Sequence, residues 1–333
     1  MRSWLFWLAL IGAGLVCGAV GAGGVMRVAG VNVTKRAPGQ ATATPVIATL
    51  ASDAAPTPAA DPPAAPSPMS SASDAPRSLF PDTQIVSYYG HPLAASMGVL
   101  GEGPRTAMIE RLRLQAAAYQ ALAPDKAVVP ALHLIYEVAQ ASTNADGLYL
   151  YRTEDETVRQ FIQLTRDEHM LLFLDLQIGR STLKDELAHV MPYLKEPHVH
   201  LAIDPEFVTL PGYRPGQFIG TLDCLQVNAA EETIARLVEA ERLPNKIVLV
   251  HQFNEDMLTH KEKLRFDLPG VDTVLDMDGY GDQAGKLGEY QRLIKDFGAK
   301  YAGIKLFYKQ DRGLLSEEQI EGLDPRPNVI IYQ

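Results

Sequence analysis

Cysteine is nearly absent from this chain of 333 residues: Cys17 lies in an N-terminal apolar run and Cys224 deep in the chain. No disulfide can therefore form within the C-terminal part, and no cysteine cluster is available for zinc. This scarcity neither requires nor excludes export. Tryptophan is equally scarce, with Trp4 and Trp7 both in the N-terminal run. Positive charge is short as well, Lys and Arg numbering 30 against 40 Asp and Glu. Residues 1 to 80 carry Arg2, Arg27, Lys35, Arg36 and Arg77 against Asp53, Asp61 and Asp74, a net of +2; with −10 for the whole chain, residues 81 to 333 carry −12. Such acidity argues against nucleic acid or anionic lipid as a partner of that part, and suits a neutral or cationic ligand as well as plain solubility. A phosphate loop, a dinucleotide fingerprint and a serine nucleophile elbow are also missing, which disfavours nucleotide-dependent and acyl-transfer chemistry.

What is present begins with Ser3 to Met26, an uncharged stretch flanked by Arg2 and Arg27. Its length matches a bilayer-spanning helix. Residues 1–30 are thus expected to be a transmembrane anchor, the alternative being a signal peptide cleaved near Ala19 to Ala22. Arg27, Lys35 and Arg36 after the segment outnumber Arg2 before it, which works against export of the C-terminal part. The next segment nevertheless reads as a stalk. Residues 31–80 are rich in Ala, Pro, Ser and Thr, with dipeptides such as Thr57-Pro58 and Pro62-Pro63, and cannot bury enough apolar surface to order themselves. The expectation is a disordered linker holding residues 81–333 outside the cytoplasm in a bacterial envelope, or secretion if the segment is cleaved.

From Pro81 onward, short β-rich runs alternate with helical stretches. The runs are Gln84 to His91, Ala127 to Glu137, Met170 to Gln177, Val199 to Glu206, Lys246 to Gln252, Thr273 to Asp278, Tyr301 to Tyr308 and Asn328 to Tyr332. Helical patterns cover Arg105 to Leu122, Glu154 to Arg166, Ser181 to Leu194, Ala229 to Glu241, Gly285 to Phe297 and Ser316 to Leu323. Eight strands alternating with helices predict an α/β fold of the (β/α)8 TIM-barrel type, with an open doubly wound sheet as the alternative.

Polar residues gather where the runs end: Tyr89 and His91, Glu137, Asp175 and Gln177, Asp204 and Glu206, His251, Asp276 and Asp278, Lys305 and Tyr308. Barrels bind ligands at the C-terminal ends of their strands. The pairs Asp204/Glu206 and Asp276/Asp278 each place two acids on one face of a strand. Paired acids let one group keep its proton while the other stays charged, the division of labour that glycoside hydrolysis requires. Glu206, Asp204 and Asp276 are the expected catalytic set. Asp278, Asp175, Gln177, Glu137, His251, Tyr89, His91 and Tyr308 are expected to contact a carbohydrate substrate, with no cofactor, no metal and a monomeric chain.

The strand ending Ile203-Asp204-Pro205-Glu206 resembles the tail of the chitinase-type (family 18) motif, in which a barrel strand ends Asp-x-Glu. The resemblance extends to Gly179 after strand three and to an acidic, tyrosine-bearing strand six, Asp276 to Tyr280. It implies Glu206 as general acid and Asp204 as the residue orienting a substrate acetamido group, whose carbonyl serves as nucleophile. A second geometry, like that of α-galactosidase-type barrels, takes Asp204 as nucleophile and Asp276 as acid/base. Other readings remain: a catalytically silent carbohydrate-binding or scaffold barrel, or a metal-dependent hydrolase or phosphodiesterase using His91 and His251 with Glu137 or Asp175.

Overall fold

The computed structural model describes residues 78 to 333. The expected anchor and nearly all of the expected linker lie outside the described residues. Within them, no helix is long and apolar enough to cross a membrane.

The strands are β1 (Thr83–Gly90), β2 (Ala127–Ala139), β3 (Leu150–Arg152), β4 (Leu171–Leu176), β5 (Val199–Ile203), β6 (Leu222–Asp223), β7 (Lys246–Gln252), β8 (Leu258–Thr259), β9 (Val271–Met277), β10 (Tyr301–Leu306) and β11 (Val329–Tyr332). The main helices are α1 (Arg105–Leu122), α2 (Asp155–Asp167), α3 (Leu183–Val190), α4 (Cys224–Glu241), α5 (Gln283–Tyr290) and α6 (Glu317–Glu321). Parallel strands run in the order β1-β11-β10-β9-β7-β5-β4-β2, and β2 returns to pair with β1. Because β1 is bonded on both edges, by β11 and β2, the sheet is closed. It is an eight-stranded (β/α) barrel, and the open doubly wound sheet is excluded.

Closure explains why the strands are buried on both faces and read as near-continuous apolar runs. Alternate residues face the lumen, where Ile85, Ala131, Phe173, Ala202, Ile247, Leu249, Val274, Val329 and Ile331 form one cluster. The intervening residues, such as Val86, Leu132, Leu174, Leu201, Val248 and Ile330, pack outward with the helices. Helix starts carry the expected capping chemistry: Asp223 with Gln226 boxes α4, and Ser316 with Gln319 boxes α6.

Four features were not legible from periodicity. β3 adds to β2 in the antiparallel sense, and the β2–β4 register shifts between Ile135 and Glu137. β6 and β8 form a separate pair. The long helix expected after β9 divides into α5 and a π-helical turn, Gln291–Lys295. α1 meets β11 through Tyr119 and Tyr332, which share a 2.8 Å hydroxyl–hydroxyl bond.

The end of the barrel where the strands begin is plugged. Phe80, assigned by composition to the linker, is buried in the lumen cluster with its ring 4.7 Å from that of Tyr301. Ser78 donates to Asp272 at 2.7 Å. At the same end Lys246 is fully buried, and its ammonium donates to the carbonyls of Glu196 at 2.6 Å, Pro197 at 3.3 Å and Val199 at 2.9 Å.

Candidate functional site

The polar groups of the lumen lie toward the opposite end, where β1, β2, β4, β5, β7, β9 and β10 finish. Tyr89, His133, Asp175, His251 and Asp276 are all at most 2 % exposed. Asp204, Asp278 and Lys305 are also buried, and Glu206 is half-buried. Carboxylates therefore outnumber cations in a low-dielectric chamber, and that imbalance sets the chemistry.

Two residues order the deeper layer. Asp175 accepts a 2.7 Å hydrogen bond from the Tyr89 hydroxyl. His251 Nδ1 lies 2.8 Å from Asp276 Oδ2, 3.5 Å from Asp278 Oδ2, and its Nε2 lies 3.9 Å from Asp175. Asp276 fits because its neighbour across the β9–β10 ladder is Gly303. A Cβ at that glycine would fall 2.6 Å from Asp276 Oδ1, so only glycine leaves the carboxylate room to meet His251.

Lys305 is the central cation. Its ammonium lies 3.9 Å from Asp278 and 3.6 Å from the centre of the Tyr89 ring, a cation–π approach. A second buried lysine, Lys286, bonds the Gly279 and Lys305 carbonyls at 2.6 and 2.8 Å and pairs with Asp311 at 3.1 Å. It thereby staples the β9 and β10 ends together.

Glu206 reaches the chamber on the short helical turn Pro205–Phe207. Asp204 caps this turn, accepting from the Glu206 amide at 3.0 Å. Gly220 closes it from the far side, donating to the Glu206 carbonyl at 2.6 Å, where any Cβ would strike the Pro205 and Val208 backbones. Burial, then Asp278, push the Glu206 carboxyl up to about 8, with Lys305 opposing. Burial, Asp175 and Glu206 hold Asp204 well above the usual carboxylate range. Burial also raises Asp278, but His251 and then Lys305 act on it in the opposite sense and favour its anion.

The other expected residues lie around this chamber or turn away from it. Glu137 is fully buried, 3.7 Å from Arg152, whose guanidinium grips Glu186 with bonds of 2.7 and 2.6 Å. Gln177 accepts from the Ala139 amide at 2.8 Å and so ties β4 to the end of β2. His91 turns away from the lumen acids to Thr153, at 3.1 Å, and does not meet His251. Tyr308 stacks on Tyr332, 5.3 Å between centroids, on the outer side under Arg111. Tyr136 pairs with Tyr193, and Tyr280 with Phe307. Of the rim tyrosines read from the sequence, Tyr89 is the one joined to the acid cluster.

Two groups were not assigned to the site from the sequence. His133, a mid-strand residue of β2, lies in the lumen with its ring 5.4 Å from that of His251 and 4.9 Å from that of Tyr89. The loop after Glu206 presents Tyr213, half exposed, against Phe218 with centroids 5.1 Å apart. An aromatic pair in a loop of mixed composition carries no periodic signal, and an isolated histidine in an apolar run reads as core.

No protein-family model and no curated protein matches the chain. The site therefore stands on its own geometry.

Proposed function

We propose that the barrel is a glycoside hydrolase acting on an oligosaccharide or cell-surface polysaccharide, with Glu206 as the proton donor. The observation that carries this reading is the partition among the acids at the chamber's mouth. Glu206 is half-buried on a fixed turn with its carboxyl pushed up to about 8, while Asp278, also raised by burial, sits beside His251 and Lys305, which oppose that rise and favour its charged form. An acid that retains its proton and an anion close to it are the two groups that protonate a glycosidic oxygen and stabilise the cationic sugar ring left behind.

In this scheme Glu206 protonates the leaving oxygen and Asp278 faces the developing positive charge, while Asp204, raised as Glu206 is, fixes the turn that carries the acid. Asp276, expected as a catalytic acid, instead positions His251 through their 2.8 Å bond. The exposed Tyr213 and its partner Phe218, on the loop after Glu206, offer apolar faces for a sugar ring. An N-terminal anchor and linker would hold this activity at the cell envelope.

The test is a screen of the full-length chain against a panel of soluble and cell-wall polysaccharides, read as newly formed reducing ends. Release of reducing ends from at least one glycan is the expected result. Binding without any release across the panel would point to a silent carbohydrate-binding barrel.

A further inference from the structure

We propose that His133, Asp175 and His251 form a binding site for one divalent first-row transition-metal cation within the barrel. This inference does not rest on the glycosidic reading and would hold for another reaction or for none. One donor atom from each of the three residues lies within 4.8 Å of the other two, and all three side chains are fully buried. Donors around such a cation lie about 3 to 4 Å apart, given metal–ligand distances near 2.1 Å, so a small inward shift of the side chains closes the set on an ion.

The hydrogen bonding points the same way. Neither ring nitrogen of His133 has a hydrogen-bond partner, nor has His251 Nε2 or Asp175 Oδ1. Burying so many unpartnered polar atoms is costly unless something occupies the space between them. His251 Nδ1 is engaged with Asp276 at 2.8 Å, which with Asp276 as carboxylate places the ring proton on Nδ1 and leaves Nε2 bare. A histidine oriented by a carboxylate behind it is how protein metal sites commonly fix a ligand's tautomer. His251, Asp276 and Asp278 also cluster within 4.8 Å. There, however, His251 Nδ1 and Asp276 Oδ2 already bond each other, whereas in the first set both His133 ring nitrogens, His251 Nε2 and Asp175 Oδ1 have no hydrogen-bond partner.

Charge supports the assignment. Asp175, Asp204, Asp276 and Asp278 are buried near the ammonium of Lys305 and that of Lys286, the latter already paired with Asp311, so a dication relieves an existing excess of negative charge. Two imidazoles and one carboxylate suit zinc, iron(II), cobalt(II) or manganese(II), and three protein ligands leave positions for water or a substrate oxygen.

The experiment uses the full-length chain, stripped with a chelator and titrated with Zn²⁺ and, separately, Co²⁺. One equivalent should bind, with visible Co²⁺ absorption bands and paramagnetic shifts of the His133 and His251 ring signals. His133→Gln and His251→Gln should each weaken binding by about 100-fold or more, and Asp276→Asn by about 10- to 100-fold. His91→Gln, whose ring bonds Thr153, should bind as the parent does. Circular dichroism shows whether each variant is folded. If His251→Gln fails to fold, His133→Gln and the Co²⁺ shifts in the parent still decide the matter. Absence of stoichiometric uptake by the parent, or parental affinity in folded His133→Gln, would overturn the site.

Discussion

Glu206→Gln lowers glycan hydrolysis by about 10²- to 10⁴-fold, the usual contribution of a positioned general acid, and leaves the barrel folded. The amide reproduces the shape of the protonated carboxyl but cannot give up a proton. Neither the Asp204 bond to the residue-206 amide nor the Gly220 bond to its carbonyl uses the side chain, so the turn is unaffected. Stability against pH supplies a second signature. Glu206 has its folded value raised from the ordinary 4.5 to about 8, so it contributes stability that is complete below about 4.5 and is lost as pH rises through about 8. The Gln variant lacks that loss and should gain on the parent between those limits. Thermal unfolding of both proteins across this range, beside their initial rates, checks the two effects together. Unchanged turnover in the variant would remove Glu206 from the chemistry.

Lys246→Met costs the fold about 3 kcal/mol or more and acts through the other end of the barrel. The parental ammonium gathers three backbone carbonyls of the segment entering β5, at 2.6, 3.3 and 2.9 Å. Methionine fills a similar volume but donates nothing, so the Glu196 carbonyl keeps only the Val199 amide, at 3.1 Å, and the Pro197 and Val199 carbonyls lose the lysine as a donor. For a domain of this size the loss corresponds to about 10 °C in the unfolding midpoint. The sign with pH is opposite to that of Glu206. Burial lowers Lys246 from 10.5 to about 7, so its contribution is present above about 10.5 and is lost as pH falls through about 7. The parent should therefore gain stability on going from pH 7 to 9 through this residue, and the variant should not. A midpoint within about 2 °C of the parent's, the shift expected for less than about 1 kcal/mol, would show that the three carbonyls find other partners.

The barrel was legible because its strands are short, β-branched and bounded by helical patterns; the eight runs read from the sequence are the eight strands that close the sheet. Arg105–Leu122 is a helix over the span its pattern indicated. The site was legible only at the level of which residues end the strands. Alternation tells which face a residue takes, but not which side chains meet at the barrel axis. His133 shows this: it looks like core in β2, yet the closed sheet brings it against His251 of β7, far away in sequence. His91 shows the converse. It comes directly after β1, but the chain bends past Gly90 into a bridge between His91 and Ala94, and the ring turns to Thr153. Tyr308 likewise lies just past β10 but stacks outside the barrel on Tyr332.

At the centre of the proposed chemistry, the mouth of this barrel holds a carboxylic acid that keeps its proton at neutral pH. The most direct measurement is a carboxyl-carbon NMR titration of the full-length chain labelled at glutamate, with Glu206→Gln used to assign the signal. A Glu206 midpoint near 8 is the predicted result. A midpoint near the ordinary 4.5 would contradict it, because the residue would then be ionised at neutral pH with no proton to donate.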